Sequence, residues 1–326
     1  MNPAVPAVAT GMMLVATLPA ALAQSNYPTQ PVRVIVTTAP GGGLDAFARL
    51  VAREFSERAG QQFIVDNRPG AGTTIGSAAA ARAKPDGYTL LLNTSAFASS
   101  AAIYRSLPYD PLRDFAPITM GVSTPNLMVV HPSVPVKSVR ELIALAKARA
   151  DRGDPVLYAS GGSGTNGHLA AALFLYMAKI HMTHVPYKSG SLGVIDLIAG
   201  QVAMMTDSMS SVLPQVRAGK LRALGVSSLR RAAAAPGIPT IAEAGVPGYE
   251  SAQWYGLFAP AGTSQEIIAR LHREATAILR ATHVRDRLAE DGLEVVANAP
   301  EEFAALIKAD IAKWTTLVKA TGISLM

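Results

Sequence analysis

The chain of 326 residues has no cysteine. That excludes a thiol nucleophile, a Cys-ligated metal and any disulfide, so stability must come from the core. Aromatic residues are few, at 6%, which argues against a stacking pocket, although one tyrosine or phenylalanine would suffice. Charged residues are also sparse, at 16%, against 49% hydrophobic ones, a balance that fits neither disorder nor a fibrous fold. The net charge of +6 is scattered, with short pairs such as Arg230-Arg231 and no dense basic run. No nucleic-acid partner is expected, only a mild bias toward anionic ligands. The 6 histidines show no H-E-x-x-H or other ligand spacing, so no metal site is expected, and the glycine motifs of the chain give no reason to expect a nucleotide or other cofactor.

Long apolar runs are also missing. The one charge-free run near the start, Gly11 to Leu22, is shorter than the ~20 residues a membrane span needs. It ends in Ala21-Leu22-Ala23, a small-x-small pattern before Gln24. The expectation is a signal peptide cleaved after Ala23 and a periplasmic mature chain, although the first residues lack the usual Lys or Arg.

What remains is long enough for two domains. From Val32 onward, apolar strands alternate with amphipathic helices. Strands are expected at Val32 to Thr37, Phe63 to Val65 and Tyr88 to Leu92, and Phe47, Leu50, Val51 and Phe55 recur at helical spacing. This βαβαβ order indicates a parallel sheet covered by helices. The plan restarts with strands at Leu127 to Val130, Val156 to Ala159, Met182 to Val185, Val202 to Thr206 and Leu221 to Val226. Ser138 and Glu141 make a capping box for the helix through Ala150. A strand at Trp254 to Ala259, two helices around Ile267 to Leu279 and Val284 to Leu288, a strand at Leu293 to Val296 and a helix from Glu301 to about Lys319 complete the chain. The fold class is α/β, with a parallel-type sheet in each unit, and the ligand is expected where strand carboxyl ends of the two units face each other.

Each unit has a glycine-rich strand-to-helix loop, "APGGGLDAFAR" at 39–49 and "YASGGSGTNGHLAAALF" at 158–174. A helix N-terminus presents unpaired N–H groups and partial positive charge, and glycine lets an anion approach them. Two facing termini could hold a carboxylate without an arginine. Asp45 is either the N-cap of the first helix or a polar group facing the cleft. Ser163, Thr165 and Asn166 are expected to cap the second helix and donate to a ligand, with His168 orienting the loop. "KSGS" at 188–191 and "TDS" at 206–208 are cleft-liners by position, and Trp254 and Tyr255 are expected to pack in the core or hinge. Phe97, after the third strand, is positioned to stack on an aromatic acid.

Two other chemistries fit parts of these loops. The nucleotide pattern G-x-G-x-x-G fails at 41–46, and its match at 162–167 has no Lys-Ser/Thr. A nucleophile elbow needs G-x-S-x-G, but 161–165 reads Gly-Gly-Ser-Gly-Thr. A hydrolase using Ser163 as nucleophile and His168 as base, with Asp207 behind it, remains the alternative to a chain that performs no covalent chemistry.

Nine stretches in order carry a resemblance: "YPTQPVRVIV", "APGGGLDAFAR", "DNRPGAG", "PDGYTLL", "LPYDPLRDFAP", "HVPYKSG", "AGKLRALGV", "PTIAEAGVPGYE" and "GLFAPAGT". The chain resembles the substrate-binding proteins of tripartite tricarboxylate transporters, the Bug family of solute receptors, from about Tyr27 to Ile323. The resemblance implies a two-domain periplasmic binding protein of the Venus-flytrap kind (type II). Residues 24–126 and 247–326 would form one domain and 127–246 the other. It implies a small carboxylate ligand, an aliphatic dicarboxylate or an aromatic acid, held between the two loops by N–H groups, hydroxyls and water. It implies membrane permease partners, a sensor kinase for some members, and a monomer. Carried over, Gly42, Gly43, Leu44 and Asp45 lie on one lip, with Ser95 and Phe97 nearby. Ser160, Ser163, Thr165, Asn166 and His168 lie on the other, and Asp207 matches an aspartate usual in the family's middle domain. Thr37-Thr38 stands where the family often has Pro-Phe, and Gly162 where it often has Ala.

Overall fold

The computed structural model describes residues 27–322 together with Met1. The rest of the expected signal peptide, with its cleavage point after Ala23, lies outside the described residues.

The first unit opens with β1 (Val32–Val36), α1 (Gly43–Ala59), β2 (Phe63–Asn67), α2 (Thr74–Ala81), β3 (Thr89–Thr94), α3 (Ala96–Ile103) and β4 (Phe115–Thr124). The second holds β5 (Asn126–Val130), α4 (Val139–Ala150), β6 (Leu157–Ser160), α5 (Asn166–Ala178), β7 (Thr183–Pro186), α6 (Gly190–Ile198), β8 (Met204–Ser208), α7 (Met209–Arg217) and β9 (Arg222–Val226). The chain then returns as β10 (Gln253–Pro260), α8 (Gln265–Arg280), α9 (Thr282–Glu290), β11 (Glu294–Val295) and α10 (Pro300–Thr321).

Two sheets result, a 6-stranded one in the order β11-β4-β10-β3-β1-β2 and a 5-stranded one in the order β7-β6-β8-β5-β9. Both are mixed, which corrects the expectation of parallel sheets. β10 runs antiparallel to β3 and β4, and β5 runs antiparallel to β8 and β9. The reason is topological. The chain passes between the sheets twice, from Thr124 to Asn126 and from Val226 to Gln253. Both passages leave from the carboxyl edge of one sheet and enter at the carboxyl edge of the other. A strand entering there must run back against its neighbours.

β4 carries no strand signal in the sequence because Pro117 and Gly121 interrupt it. Proline is tolerated on a strand side that has no ladder to feed. β11 covers β4 only at Val122 and Ser123, so Pro117 lies beyond it, facing β10 alone across a register shift.

α1 buries Leu44, Phe47, Ala48, Val51, Ala52 and Phe55 on one face, with Leu50 at its margin. Each such large side chain is worth roughly 1.5–3 kcal/mol relative to exposure. Ser138 caps α4 by accepting the Glu141 N–H, while Glu141 reaches back to the Lys137 N–H rather than to that of Ser138. α10 starts over the first unit, where Phe303 and Ile307 are buried, but Trp314 and Leu317 near its end pack into the core of the second. The C-terminal helix therefore straddles both units.

Candidate functional site

β1 and β3 are adjacent and parallel, so the loops after them, containing Gly42 and Ser95, emerge at one edge. β7, β6 and β8 are likewise parallel, and the turns into α5, α6 and α7 emerge together. The two inter-sheet passages lie at these same edges: Asn126 pairs with Ser208, and Gln253 with Thr124. Strand-to-helix loops from both units thus meet beside the hinge.

On the first lip the N-cap of α1 is Gly42, which offers no side chain to the first-turn N–H groups. Asp45 is not the cap. It is buried, and its carboxylate accepts the Gly41 N–H at 2.9 Å, Arg49 Nε at 3.0 Å and Asn67 Nδ2 at 2.9 Å. Burial alone would raise its pKa, but these donors outweigh it and hold the carboxyl below its ordinary value. Asp45 therefore clamps the triglycine turn, with both carboxylate oxygens engaged inside the lip. Thr37 is buried and donates to Asn93 Oδ1 at 2.8 Å, behind the same turn.

This clamp gives a pH-dependent prediction. A carboxylate with a depressed folded pKa stabilises the fold above its unfolded value, near 3.8, and that contribution is lost as pH falls through the lower folded value. Asp45→Asn should cost about 1–2 kcal/mol at neutral pH. It should also flatten the acid-side loss of stability in urea melts taken at several pH values. Identical acid-side slopes for the two proteins would refute the clamp.

The second lip is wired internally. Ser160 is fully buried, its Oγ accepting the Gly162 N–H at 3.1 Å and lying 2.6 Å from His184 Nε2. Thr165 is the N-cap of α5, accepting the His168 N–H and donating to Gly162 O at 2.8 Å. The Gly164 N–H donates to His168 Nδ1 at 3.0 Å. His168 stacks on His184 with centroids 4.1 Å apart, and burial, then its neighbour His184, lowers its pKa to about 4. Ser160 and His168, both carried over as ligand contacts, are engaged inside the loop, Ser160 with Gly162 and His184 and His168 with Gly164.

The cavity at the lip holds about 220 Å³ and is lined by Thr165, Asn166, Asp207 and Ser208, with Gly161 and Gly190 closing its wall. Other concavities, of about 450 and 470 Å³, lie on the flanks. The smaller one is distinguished because the N-termini of α5, α6 and α7 converge on it. Gly190 is forced by this crowding: a Cβ there would stand 2.5 Å from Asp207 Oδ2. Asp207 accepts the Ser208 N–H at 2.7 Å, and burial pushes its pKa up against the lowering effect of the Ser208 N–H and the Ser211 hydroxyl.

The sequence reading missed Asn126 and Gln253, which also line this cavity. Asn126 joins the hinge to the site. Its N–H donates to Ser227 Oγ at 2.7 Å, and its Nδ2 donates to Ser251 O at 3.1 Å and also to Asn166 Oδ1. Asn166 in turn reaches Ser95 Oγ on the opposite lip at 3.4 Å. An asparagine opening a strand carries no local signal for this; only the crossing of two distant segments creates it.

Two expectations need correction. Phe97 is fully buried among Tyr109, Phe115 and Phe258, so it is a core ring and does not stack in the cleft. The hydrolase constellation does not assemble. Ser163 is exposed with no bond to His168, the Nδ1 of His168 is already occupied by Gly164, and Asp207 is engaged by serines. Trp254 packs in the core as expected, against Phe303 and with Nε1 donating to Asp310. Tyr255 packs on Phe47, its hydroxyl 2.8 Å from where a Gly43 Cβ would stand.

Comparisons with known proteins identify the family and the fold. The model of the tripartite tricarboxylate transporter family receptor matches residues 47–323. Rpa4515 of R. palustris, solved with adipate, is 36% identical, with 92% of this chain and 100% of that one covered and a TM-score of 0.78. The periplasmic binding protein BugD is 32% identical, with 91% and 99% covered and a TM-score of 0.74. MatC from Rhodopseudomonas palustris, solved with malate, is 31% identical, with 90% and 100% covered and a TM-score of 0.74.

Proposed function

Because the chain belongs to the tripartite tricarboxylate transporter receptor family, of the Bug type, we propose that it is a periplasmic receptor that captures a small carboxylate between its two lips. The observation that carries this reading is the uncapped start of α1 at Gly42, at the same edge as the three converging helix N-termini of the second unit. The starts of α5, α6 and α7 line one cavity, and backbone amides there, with those of α1 brought up on closure, form an anion seat that needs no arginine. Asp207 then favours a ligand that presents a hydroxyl, a protonated carboxyl or a bridging water at its other end. Rpa4515 with adipate and MatC with malate are consistent with a carboxylate.

In this reading the domains divide at 127 and 247, with α10 bridging them. Closure follows from differential affinity, since a ligand touches both lips only when they meet. Export with cleavage after Ala23, delivery to a membrane permease and a monomeric state belong to the same proposal. Sensing for a kinase is a further role of the same closed form. No covalent step is assigned, because the Ser163 and His168 pair does not form.

The test is a thermal-shift screen of the mature chain from Gln24 against aliphatic dicarboxylates, aromatic acids and the amides of the same skeletons. A ligand at a hundredfold excess over its dissociation constant should stabilise the fold by ~2.7 kcal/mol. Stabilisation by an acid and not by its amide is the expected result. Equal shifts with acid and amide would overturn the anion seat.

A further inference from the structure

Outside the cleft, a groove of about 470 Å³ runs between α5 and the edge strand β7. It shares no lining residue with the cleft cavity. Its walls carry His168, His181, His184, Lys179, Tyr158 and Tyr176, and its floor is Ala172, Leu175 and Ile180. Thr321, near the end of α10, also borders it, and among the described residues no aspartate or glutamate lines it.

The buried end of the groove is a fixed donor. His168 is only 5% exposed. Its Nδ1 accepts the Gly164 N–H, so the neutral ring must carry its proton on Nε2. That Nε2–H has no acceptor among the described residues, yet it is not sealed in the interior; it opens on the groove. The outer end is a cation. Lys179 follows α5 with φ 52, a left-handed position usually taken by glycine. A glycine would relieve that conformation but remove the ammonium. A donor, a cation and an apolar floor, with no acidic side chain among the described lining residues, suit an organic anion whose body is apolar.

We propose that this groove is a second binding site, separate from the cleft, for a small organic monocarboxylate, and that its occupancy is transmitted through His168 to the cleft loop. The carboxylate accepts from His168 Nε2–H and lies toward Lys179 Nζ, with its apolar body along Leu175 and Ile180. An anion on Nε2 makes Nδ1 a better acceptor. The Gly164 amide, which opens the final turn before α5, is then held more firmly.

The experiment is an NMR titration of the full mature chain with benzoate, reading the His168 ring nitrogens and the Gly164 amide. It is repeated in Lys179→Glu, an exposed surface change, and in Gly42→Leu, which obstructs the cleft. The expected result is saturable movement of both signals that survives Gly42→Leu and weakens roughly tenfold in Lys179→Glu. No saturation, saturation abolished by Gly42→Leu, or saturation untouched by Lys179→Glu overturns the proposal. The cleft reading stands or falls separately when the thermal-shift screen is repeated in Gly42→Leu and in Lys179→Glu: an acid-specific shift lost only in Gly42→Leu belongs to the cleft, and one lost only in Lys179→Glu belongs to the groove.

Discussion

Gly42→Leu should abolish carboxylate binding and leave the free protein at least as stable as before. Gly42 has φ −84 and ψ 169, an extended conformation open to any residue. A Cβ there would meet only Ala39 O, at 3.7 Å, an ordinary contact. Neither backbone nor packing in the free chain requires glycine at this position. What the missing side chain leaves open is access to the first-turn N–H groups of α1, which no cap covers. A leucine side chain would cover that access and place apolar bulk where the anion seat is proposed. A loss of more than about a hundredfold in affinity is expected, roughly 2.7 kcal/mol. Stability of the free chain should be unchanged or rise by ~0.4–1 kcal/mol, because a leucine restricts the unfolded chain more than glycine does. Calorimetric titration with the acid found in the thermal screen, paired with a urea melt, reads both quantities. Retained binding in a well-folded variant would remove this lip from the site.

Phe97→Ala should do the reverse. The ring is fully buried, stacked on Tyr109 at 6.0 Å and set edge-on to Phe115 at 5.1 Å, with Phe258 at 4.8 Å. Truncation leaves a cavity walled by other rings that cannot readily collapse into it. A cost of about 3–5 kcal/mol is expected, a large share of the stability of an ordinary domain. Carboxylate affinity of the protein that remains folded should change little, since the ring does not line the cleft. A variant with normal denaturant stability and lost affinity would return Phe97 to the ligand. Together the two substitutions separate a residue that serves only the ligand from one that serves only the fold.

The contrast between these residues also marks what could be read from the sequence. Gly42, Thr165, Asn166 and Asp207 stand where strand-to-helix loops must start, and the loop order follows from hydrophobic periodicity. Phe97 occupies the same kind of position, directly after a strand. The sequence could not say which way its ring turns, because that depends on Phe115 and Phe258 arriving from distant strands. Asp45 reads from the sequence either as a cap or as a cleft group, because only its local setting is visible there; its actual partners include Asn67, on β2. His168 was legible as a loop support, but not its stacking on His184, nor the groove that both line.

By itself, the sequence determined the alternation of strands and helices, the two glycine-rich loops and the absence of thiol chemistry. These depend on local periodicity, on glycine at a helix start and on composition, none of which needs a partner distant in the chain. Tertiary structure alone decided that both sheets are mixed, that α10 ties the units together and that Asn126 links the hinge to the site. Each of those arises where segments distant in the chain cross, as Asn126 does with Asn166, Ser227 and Ser251. Such a meeting is fixed by the packing of whole sheets, and no residue's own neighbourhood in the chain records it.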